Sequence, residues 1–125
     1  MNKEEIMNKE EIKEWLIKYS ITKYTINEDL TVDVHGSVWL GNYNLISLPF
    51  QFGVVEGFFY CGINKLTSLK HCPKVVHGDF DCSSNKLTSL EHCPKVIKGN
   101  FSCDEYLKTD IRYLRHHLGK KLQSL

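Results

Sequence analysis

Histidine and cysteine stand side by side at two places in the chain, and such pairs are the first candidates for metal chemistry. The pairs are His71-Cys72 and His92-Cys93. A structural zinc site needs four ligands that converge on one tetrahedron, commonly taken from pairs of the C-x2-4-C type. Each pair is followed by Pro-Lys and stands at the same place in a longer repeated string. The repeat therefore explains why the pair occurs twice, and no zinc site is needed to explain it. We therefore expect no metal ligand and no cofactor.

A histidine and two aspartates at alternating positions are the second candidate for chemistry. They are His77, Asp79 and Asp81. In an extended strand the three would share one face, with about 7 Å between alternate Cα atoms, and could hold a metal or carry out acid–base hydrolysis. The same positions one repeat later hold lysine, asparagine and serine, and no phosphate-binding or nucleophile motif accompanies them. The trio therefore favours a partner-facing surface, with a metal-binding or hydrolytic protein as the alternative.

A short sequence repeat must position these side chains. Residues 61–81 read CGINKLTSLKHCPKVVHGDFD and residues 82–102 read CSSNKLTSLEHCPKVIKGNFS, identical at 14 of 21 positions. A degenerate copy precedes them and a partial copy follows. Such self-similarity is typical of a solenoid, in which each copy buries its apolar side only by stacking on the next.

Each copy contains a period-two stretch that predicts a β-strand with one buried face. In the first clean copy Val55, Gly57, Phe59 and Cys61 point inward. Stacking turns each inward position into a column, and the predicted core columns are Val34/Val55/Val76/Ile97, Val38/Phe59/Phe80/Phe101, Leu40/Cys61/Cys82/Cys103, Leu45/Leu66/Leu87 and Leu48/Leu69/Leu90. We also expect the side chains of Asn64 and Asn85 to bond backbone groups of adjacent coils.

The string Phe59-x-Cys61-x-x-Asn64-x-Leu66, repeated from Phe80, resembles the leucine-rich-repeat consensus L-x-L-x-x-N-x-L with Phe and Cys in two leucine places. The short period and the proline after the turn are similar to bacterial, phage and prophage proteins with N-x-L-T-S-L-x-x-C-P-x-x-V-x-G-x-F-x-C units. The resemblance covers roughly residues 32–103. The sequence departs from the consensus at Tyr43 and after the last coil. It implies an α/β fold, a small leucine-rich-repeat solenoid with a parallel sheet on its concave face. It also implies a phage or prophage setting, in which such a protein inhibits a host protein such as a CRISPR-type defence nuclease complex.

The segment before the repeats predicts a helix and a hairpin. Asn2 or Asn8 could cap the helix, and Ile12 to Tyr19 place their apolar residues on one face. Two short alternating stretches around residues 27–29 predict a β-hairpin that leads into the first coil.

The segment after the repeats predicts a second helix laid over the last coil. Its apolar residues Leu107, Ile111, Leu114 and Leu118 lie at helical spacing, and Gly119 could end it. We therefore expect a single domain over residues 1–125, with an N-terminal cap at 1–33, repeat coils at 34–103 and a C-terminal helical cap at 104–125.

The outward positions of the repeat predict a binding surface. Trp39, Phe58 and Tyr60 fall together on a solvent face, where large aromatics are typical anchors of protein interfaces. The alternative is that the N-terminal helix or hairpin covers these rings. The predicted partner-binding residues are Trp39, Glu56, Phe58, Tyr60, His77, Asp79, Asp81, Lys98 and Asn100. The predicted function is non-enzymatic protein binding with no catalytic residue; a self-assembling module, such as a homodimer, remains open.

Composition and charge narrow the classes of partner and the cellular locations that we expect for this protein. The chain has 125 residues, with 16 basic and 15 acidic side chains and a formal charge of +1. So little net charge disfavours nucleic acid as a partner. The N-terminus lacks the apolar core of a signal peptide, and no run approaches the roughly 18 apolar residues of a membrane span. We expect a soluble cytoplasmic protein with reduced thiols and another protein as its partner.

Overall fold

The computed structural model describes residues 6–123, and their side chains as far as residue 120. The fold is α/β. Its elements are helix α1 (Lys9–Lys18), strands β1 (Tyr24–Ile26), β2 (Val32–Val34), β3 (Val38–Trp39), β4 (Phe52–Val55), β5 (Phe59–Tyr60), β6 (Val75–Val76), β7 (Phe80–Asp81), β8 (Val96–Ile97) and β9 (Phe101–Ser102), a 3-10 helix (Glu105–Leu107) and helix α2 (Ile111–Gln123).

The strands form two stacked sheets. The first sheet has the order β1-β2-β4-β6-β8 and the second has the order β3-β5-β7-β9. Every strand pair is parallel except β1 with β2. Phe59 pairs with Phe80, and Phe80 in turn pairs with Phe101, which confirms the register predicted from the repeat. Each coil therefore gives one short strand to each sheet. The prediction of one strand from Val55 to Cys61, in a single parallel sheet, is wrong.

A bend between the two strands of each coil explains this difference. The chain turns at Glu56 and Gly57, between β4 and β5. The amide of Gly57 donates to the carbonyl of Gly36 at 2.9 Å, and the amide of Gly78 donates to that of Gly57 at 2.9 Å. A Cβ on Gly78 would lie 2.8 Å from the carbonyl carbon of Gly57, which is too close for any side chain. At Gly78 the neighbouring backbone therefore leaves no room for a Cβ.

The predicted columns form most of the core, and residues such as Phe50, Phe52 and Leu107 complete it. The Val34, Val38, Leu40 and Leu48 columns are buried in every coil, and in the Leu45 column only Leu45 itself is half-buried. The phenylalanine column is a ladder of rings: Phe59 and Phe80 have centroids 6.0 Å apart, and Phe80 and Phe101 have centroids 5.5 Å apart. Stacking thus removes from water apolar surface that no single coil could bury.

The asparagine prediction is also confirmed. Asn64 is buried; its amide nitrogen donates to the carbonyl of Leu40 at 2.7 Å, and its oxygen accepts the amides of Tyr43 at 3.1 Å and Leu45 at 2.9 Å. Asn85 accepts the amide of Leu66 at 3.0 Å in the same way. The two side chains therefore satisfy backbone groups that the curved turns leave without partners.

Among the described residues before the coils, the predicted helix and hairpin are both present. Asn8 and Glu11 form a capping box at the start of α1, with distances of 2.9 and 3.0 Å, while Asn2 lies outside the described residues. Ile12 and Leu16 are buried, and the Trp15 ring meets Phe50 at 5.1 Å. The antiparallel pair β1–β2 is the predicted hairpin.

The second helix lies differently from the prediction. Ile111, Leu114 and Leu118 were expected to face the last coil, yet 53%, 38% and 55% of their surfaces are exposed. Tyr113 and His116 face the coil instead, with ring centroids 5.5 and 5.6 Å from Phe101. The expected stop at Gly119 is also wrong, because α2 continues to Gln123. The end of the stack presents an aromatic ring, and aromatic side chains cover it.

The glycine column yields a matched pair of variants. We expect Gly78→Ala to lower the free energy of unfolding by about 1–3 kcal/mol, because its methyl group would push two backbones apart. Gly36→Ala should change it by less than about 1 kcal/mol, since nothing lies within 4 Å of a Cβ there. Urea unfolding followed by circular dichroism measures both, and equal losses would contradict the close approach.

Candidate functional site

The second sheet positions the candidate site. In each of its two-residue strands the first residue is buried and the second turns outward, as with Val38 and Trp39. The parallel register then aligns the outward side chains of successive coils, so that Trp39 pairs with Tyr60 and Tyr60 pairs with Asp81. Side chains that are one full repeat apart in sequence thus become neighbours.

Three aromatic rings form a cluster at the N-terminal side of this face. Trp39 and Tyr60 stack with centroids 4.3 Å apart and planes 7° apart, and Phe58 meets Trp39 edge-on at 6.4 Å. A Cβ at Gly41 would overlap the Tyr60 ring, so the ring lies directly over this backbone. Trp39 is 55% exposed and Phe58 is 39% exposed. The cluster is therefore both held in place and open to solvent.

The alternative in which the N-terminal segment covers these rings is not what the structure shows. Helix α1 packs through Trp15 against Phe50 and Phe52, at 5.1 and 6.3 Å. Its last turn brings Tyr19 against Tyr43 at 4.9 Å. Within residues 6–123, then, the N-terminal segment leaves the aromatic cluster exposed.

Two carboxylates continue the same face. One oxygen of Asp79 accepts the backbone amide of Asn100 at 2.7 Å. One oxygen of Asp81 accepts the amide of Ser83 at 2.9 Å and its hydroxyl at 2.6 Å. These bonds fix both carboxylates, while in the described part of the chain the second oxygen of each has no hydrogen-bond or salt-bridge partner.

The rings and carboxylates border one cavity of about 270 Å³. Six of the nine predicted partner-binding residues line it: Trp39, Phe58, Tyr60, Asp79, Asp81 and Asn100. Phe59 and Ser102 also line it and were not predicted. Ser102 could have been found from the sequence, because it is the fourth member of the Trp39 column. We call this cavity the outward slot.

The other three predicted residues lie elsewhere. Glu56, His77 and Lys98 are exposed at the bend between the sheets. Glu56 contacts His35 at 3.1 Å, and the other ring nitrogen of His35 contacts Thr25 at 2.8 Å.

The bend also separates His77 from the two aspartates. The expectation that His77, Asp79 and Asp81 share one strand is wrong, because only Asp81 lies within β7 and His77 lies in the bend between β6 and β7. In residues 6–123 no group of three or more His, Cys, Asp or Glu side chains is placed to hold a metal ion.

The cysteines are free thiols in the two columns that the repeat predicted. Burial raises the pKa of Cys82 and of Cys72. Burial also raises the pKa of Cys93 and of Cys103 to about 11. Thiols with such pKa values are poor nucleophiles at neutral pH, so these four act as packing groups.

A larger cavity, not predicted from the sequence, lies between the last coil and α2. It measures about 580 Å³ and is lined by His92, Cys93, Pro94, Lys95, Phe101, Arg112, Arg115 and His116. Burial, and after it the ammonium group of Lys120, lowers the pKa of His116, so this ring stays neutral near pH 7. Arg112 already binds the carboxylate of Asp110 at 3.0 Å. The sequence signals at this cavity are the His92-Cys93 pair and the Pro94-Lys95 dipeptide that follows it.

No family model, curated protein or solved structure matches the chain. Among the described residues, neither helix has the length and apolar character needed to cross a lipid bilayer.

The buried thiols lead to a prediction about alkylation. In the folded chain at pH 8 only about 0.1% of a thiol with a pKa near 11 is ionised, so iodoacetamide should label Cys93 and Cys103 slowly. The labelling rate should rise about tenfold per pH unit until that pKa is reached. In denaturant all five cysteines should react. Peptide mass spectrometry follows each site, and rapid labelling of Cys82 in the folded chain at pH 8 would contradict the buried column.

Proposed function

We propose that the protein is a non-enzymatic binding module of the leucine-rich-repeat type, which contacts another protein through the outward face of its second sheet. The observation that carries the proposal is the uncovered cluster of Trp39, Phe58 and Tyr60 beside the outward slot. Exposed aromatics of this size are rare on a surface that meets only water, and they are common at the centre of protein interfaces.

The physical basis of the proposal is preorganisation. Trp39 and Tyr60 already stack, and Tyr60 lies over Gly41, so little side-chain freedom remains to be lost on binding. Binding energy that would otherwise order the surface then appears as affinity. Strands joined by backbone hydrogen bonds from coil to coil hold these groups in one geometry.

The proposal extends to a biological setting. The resemblance to phage and prophage repeat proteins favours a host protein as the partner, and a CRISPR-type defence nuclease complex is the example we propose. A cytoplasmic location is part of this proposal, and it is supported by the free thiols, which are usual in reducing compartments.

The aromatic cluster can be tested by affinity capture. The full chain is used as bait in lysates of candidate hosts, and partners are identified by mass spectrometry. We expect Trp39→Ala to weaken binding of the captured protein about 30-fold or more, as loss of a central interface aromatic does. Ile46→Ala is the matched control, because Ile46 is 73% exposed and lies outside the slot.

Circular dichroism shows whether each variant keeps its fold. A folded Trp39→Ala variant that binds the partner as tightly as the unchanged chain would overturn the proposal. So would an equal loss in the Ile46→Ala control.

Self-association through α2 is a second candidate, favoured by one observation. Ile111, Leu114 and Leu118 form an exposed apolar stripe on this helix. A continuous apolar stripe on a surface helix is typical of a helix that packs against another. The described side chains of α2 include Arg112 and Arg115 but no acidic group, so two such helices would also repel each other.

Sedimentation equilibrium tests this second candidate. We expect a mass above one chain at high protein concentration, and we expect salt to raise it by screening the repulsion between arginines. Leu114→Glu should return the mass to that of one chain. A single-chain mass at every concentration and salt level would rule out self-association.

A further inference from the structure

We propose that the outward slot binds an arginine side chain of the partner protein. This inference deepens the proposed function and rests on it, since it names the chemical group that the same face recognises. Two features of the slot support the inference: an aromatic wall, and two carboxylates that pair with no cation of the described residues.

The aromatic wall consists of the Tyr60 and Phe58 side chains, which both line the slot. Trp39 covers one face of the Tyr60 ring at 4.3 Å, and the next side chain along the column is Asp81, on the neighbouring coil. The slot therefore has a π surface on one side and a carboxylate on the other. A cation between them is attracted by the ring quadrupole and by the charge together.

The acidic side consists of Asp79 and Asp81. Each uses one oxygen to accept backbone or hydroxyl hydrogens, from Asn100 and from Ser83, and each keeps a second oxygen without a hydrogen bond to the described residues. The slot is lined by no lysine, arginine or histidine, and neither carboxylate takes part in a salt bridge within residues 6–123.

A partner that covered this slot would remove two charges from water. Burying an unpaired carboxylate is costly, so an apolar or acidic partner surface would be rejected. A cationic side chain removes that cost and adds charge-assisted hydrogen bonds. The same charges that make the slot hydrophilic when empty therefore make it selective when covered.

Arginine suits the slot better than other cations do. Its planar guanidinium stacks on an aromatic face while its edge donates two hydrogen bonds to carboxylate oxygens. A lysine ammonium is a point charge and cannot do both equally well. A bound metal ion is a poorer fit, because the described chain offers it no group of three carboxylate, histidine or cysteine ligands.

The proposal is tested with defined peptides and the full chain. The probe is acetyl-Gly-Ser-Arg-Ser-Gly-amide, and its matched relatives carry lysine or citrulline in place of arginine. Binding is followed by the NMR shifts of the Trp39 indole and of the backbone amides of Tyr60, Asp81 and Ser102, which line the slot. We expect the arginine peptide to shift these signals, the lysine peptide to bind about threefold or more weakly, and the citrulline peptide to have no effect.

Asp79→Asn with Asp81→Asn is the decisive variant. Each amide oxygen can still accept the hydrogen bonds from Asn100 and Ser83, so the fold should survive while the charge is lost. We expect about tenfold weaker binding of the arginine peptide. Glu14→Gln with Glu28→Gln removes the same charge from exposed positions outside the slot and should change binding little.

The outcomes distinguish the arginine proposal from the proposed protein-binding function on which it rests. Equal shifts from the arginine and citrulline peptides would overturn the arginine assignment. Loss of partner capture in Trp39→Ala, with full capture in the Asp79→Asn, Asp81→Asn variant, would also overturn it and leave the protein-binding function standing. Capture that survives both sets of substitutions would overturn the function itself. A further outcome is that the chain self-associates and that Arg115→Gln abolishes this self-association. The slot would then bind an arginine of a second copy of the chain, and the proposal that it binds a different protein would be overturned.

Discussion

Backbone hydrogen bonds join each coil to the next at an offset of 21 residues, apart from a register shift between Val32 and Val34 where β2 pairs with β4. The amides of Gly57 and Gly78 reach the glycine carbonyls of the preceding coil at 2.9 Å, and both sheets keep the same offset. Backbones this close cannot slip by one residue without turning the buried side chains to water. The offset therefore decides which side chains stack, and the phenylalanine, cysteine and leucine columns of the core follow from it.

The same offset creates the outward face. Inward positions need apolar side chains in every coil, because each must pack against the one before. Outward positions have no such requirement, and they change along the column from Trp39 and Tyr60 to Asp81 and Ser102. A solenoid whose coils share the same inward columns thus presents an outward surface on which neighbouring groups differ in chemistry. The outward slot lies where aromatic side chains give way to carboxylates, and its selectivity rests on that change.

The two ends of the stack meet a different requirement, since there the offset cannot continue. At one end α1 brings Trp15 against Phe50, and β1 pairs antiparallel with β2. At the other end, the Tyr106 hydroxyl donates to the carbonyl of Leu87 at 2.6 Å and takes the place of the donor that a further coil would have supplied. Helix α2 also packs its aromatic side chains against Phe101. Because α2 covers the Phe101 ring with its aromatic side chains, its apolar stripe faces solvent. This end of the stack therefore offers a second surface for contact with another molecule.

Spacing along the chain was enough to predict the repeat length, the core columns, the hydrogen bonding of Asn64 and the aromatic members of the outward face. Three other features depend on how the coils pack and could not be read from spacing. The bend at Glu56 and Gly57 is invisible to a period-two pattern, since Val55 and Phe59 are buried on either side of it. The orientation of α2 depends on what the last coil exposes, which helical spacing does not record. The outward slot joins side chains from several coils, and the hydrogen bonds that leave one oxygen of Asp79 and of Asp81 unpaired exist only once those coils are stacked.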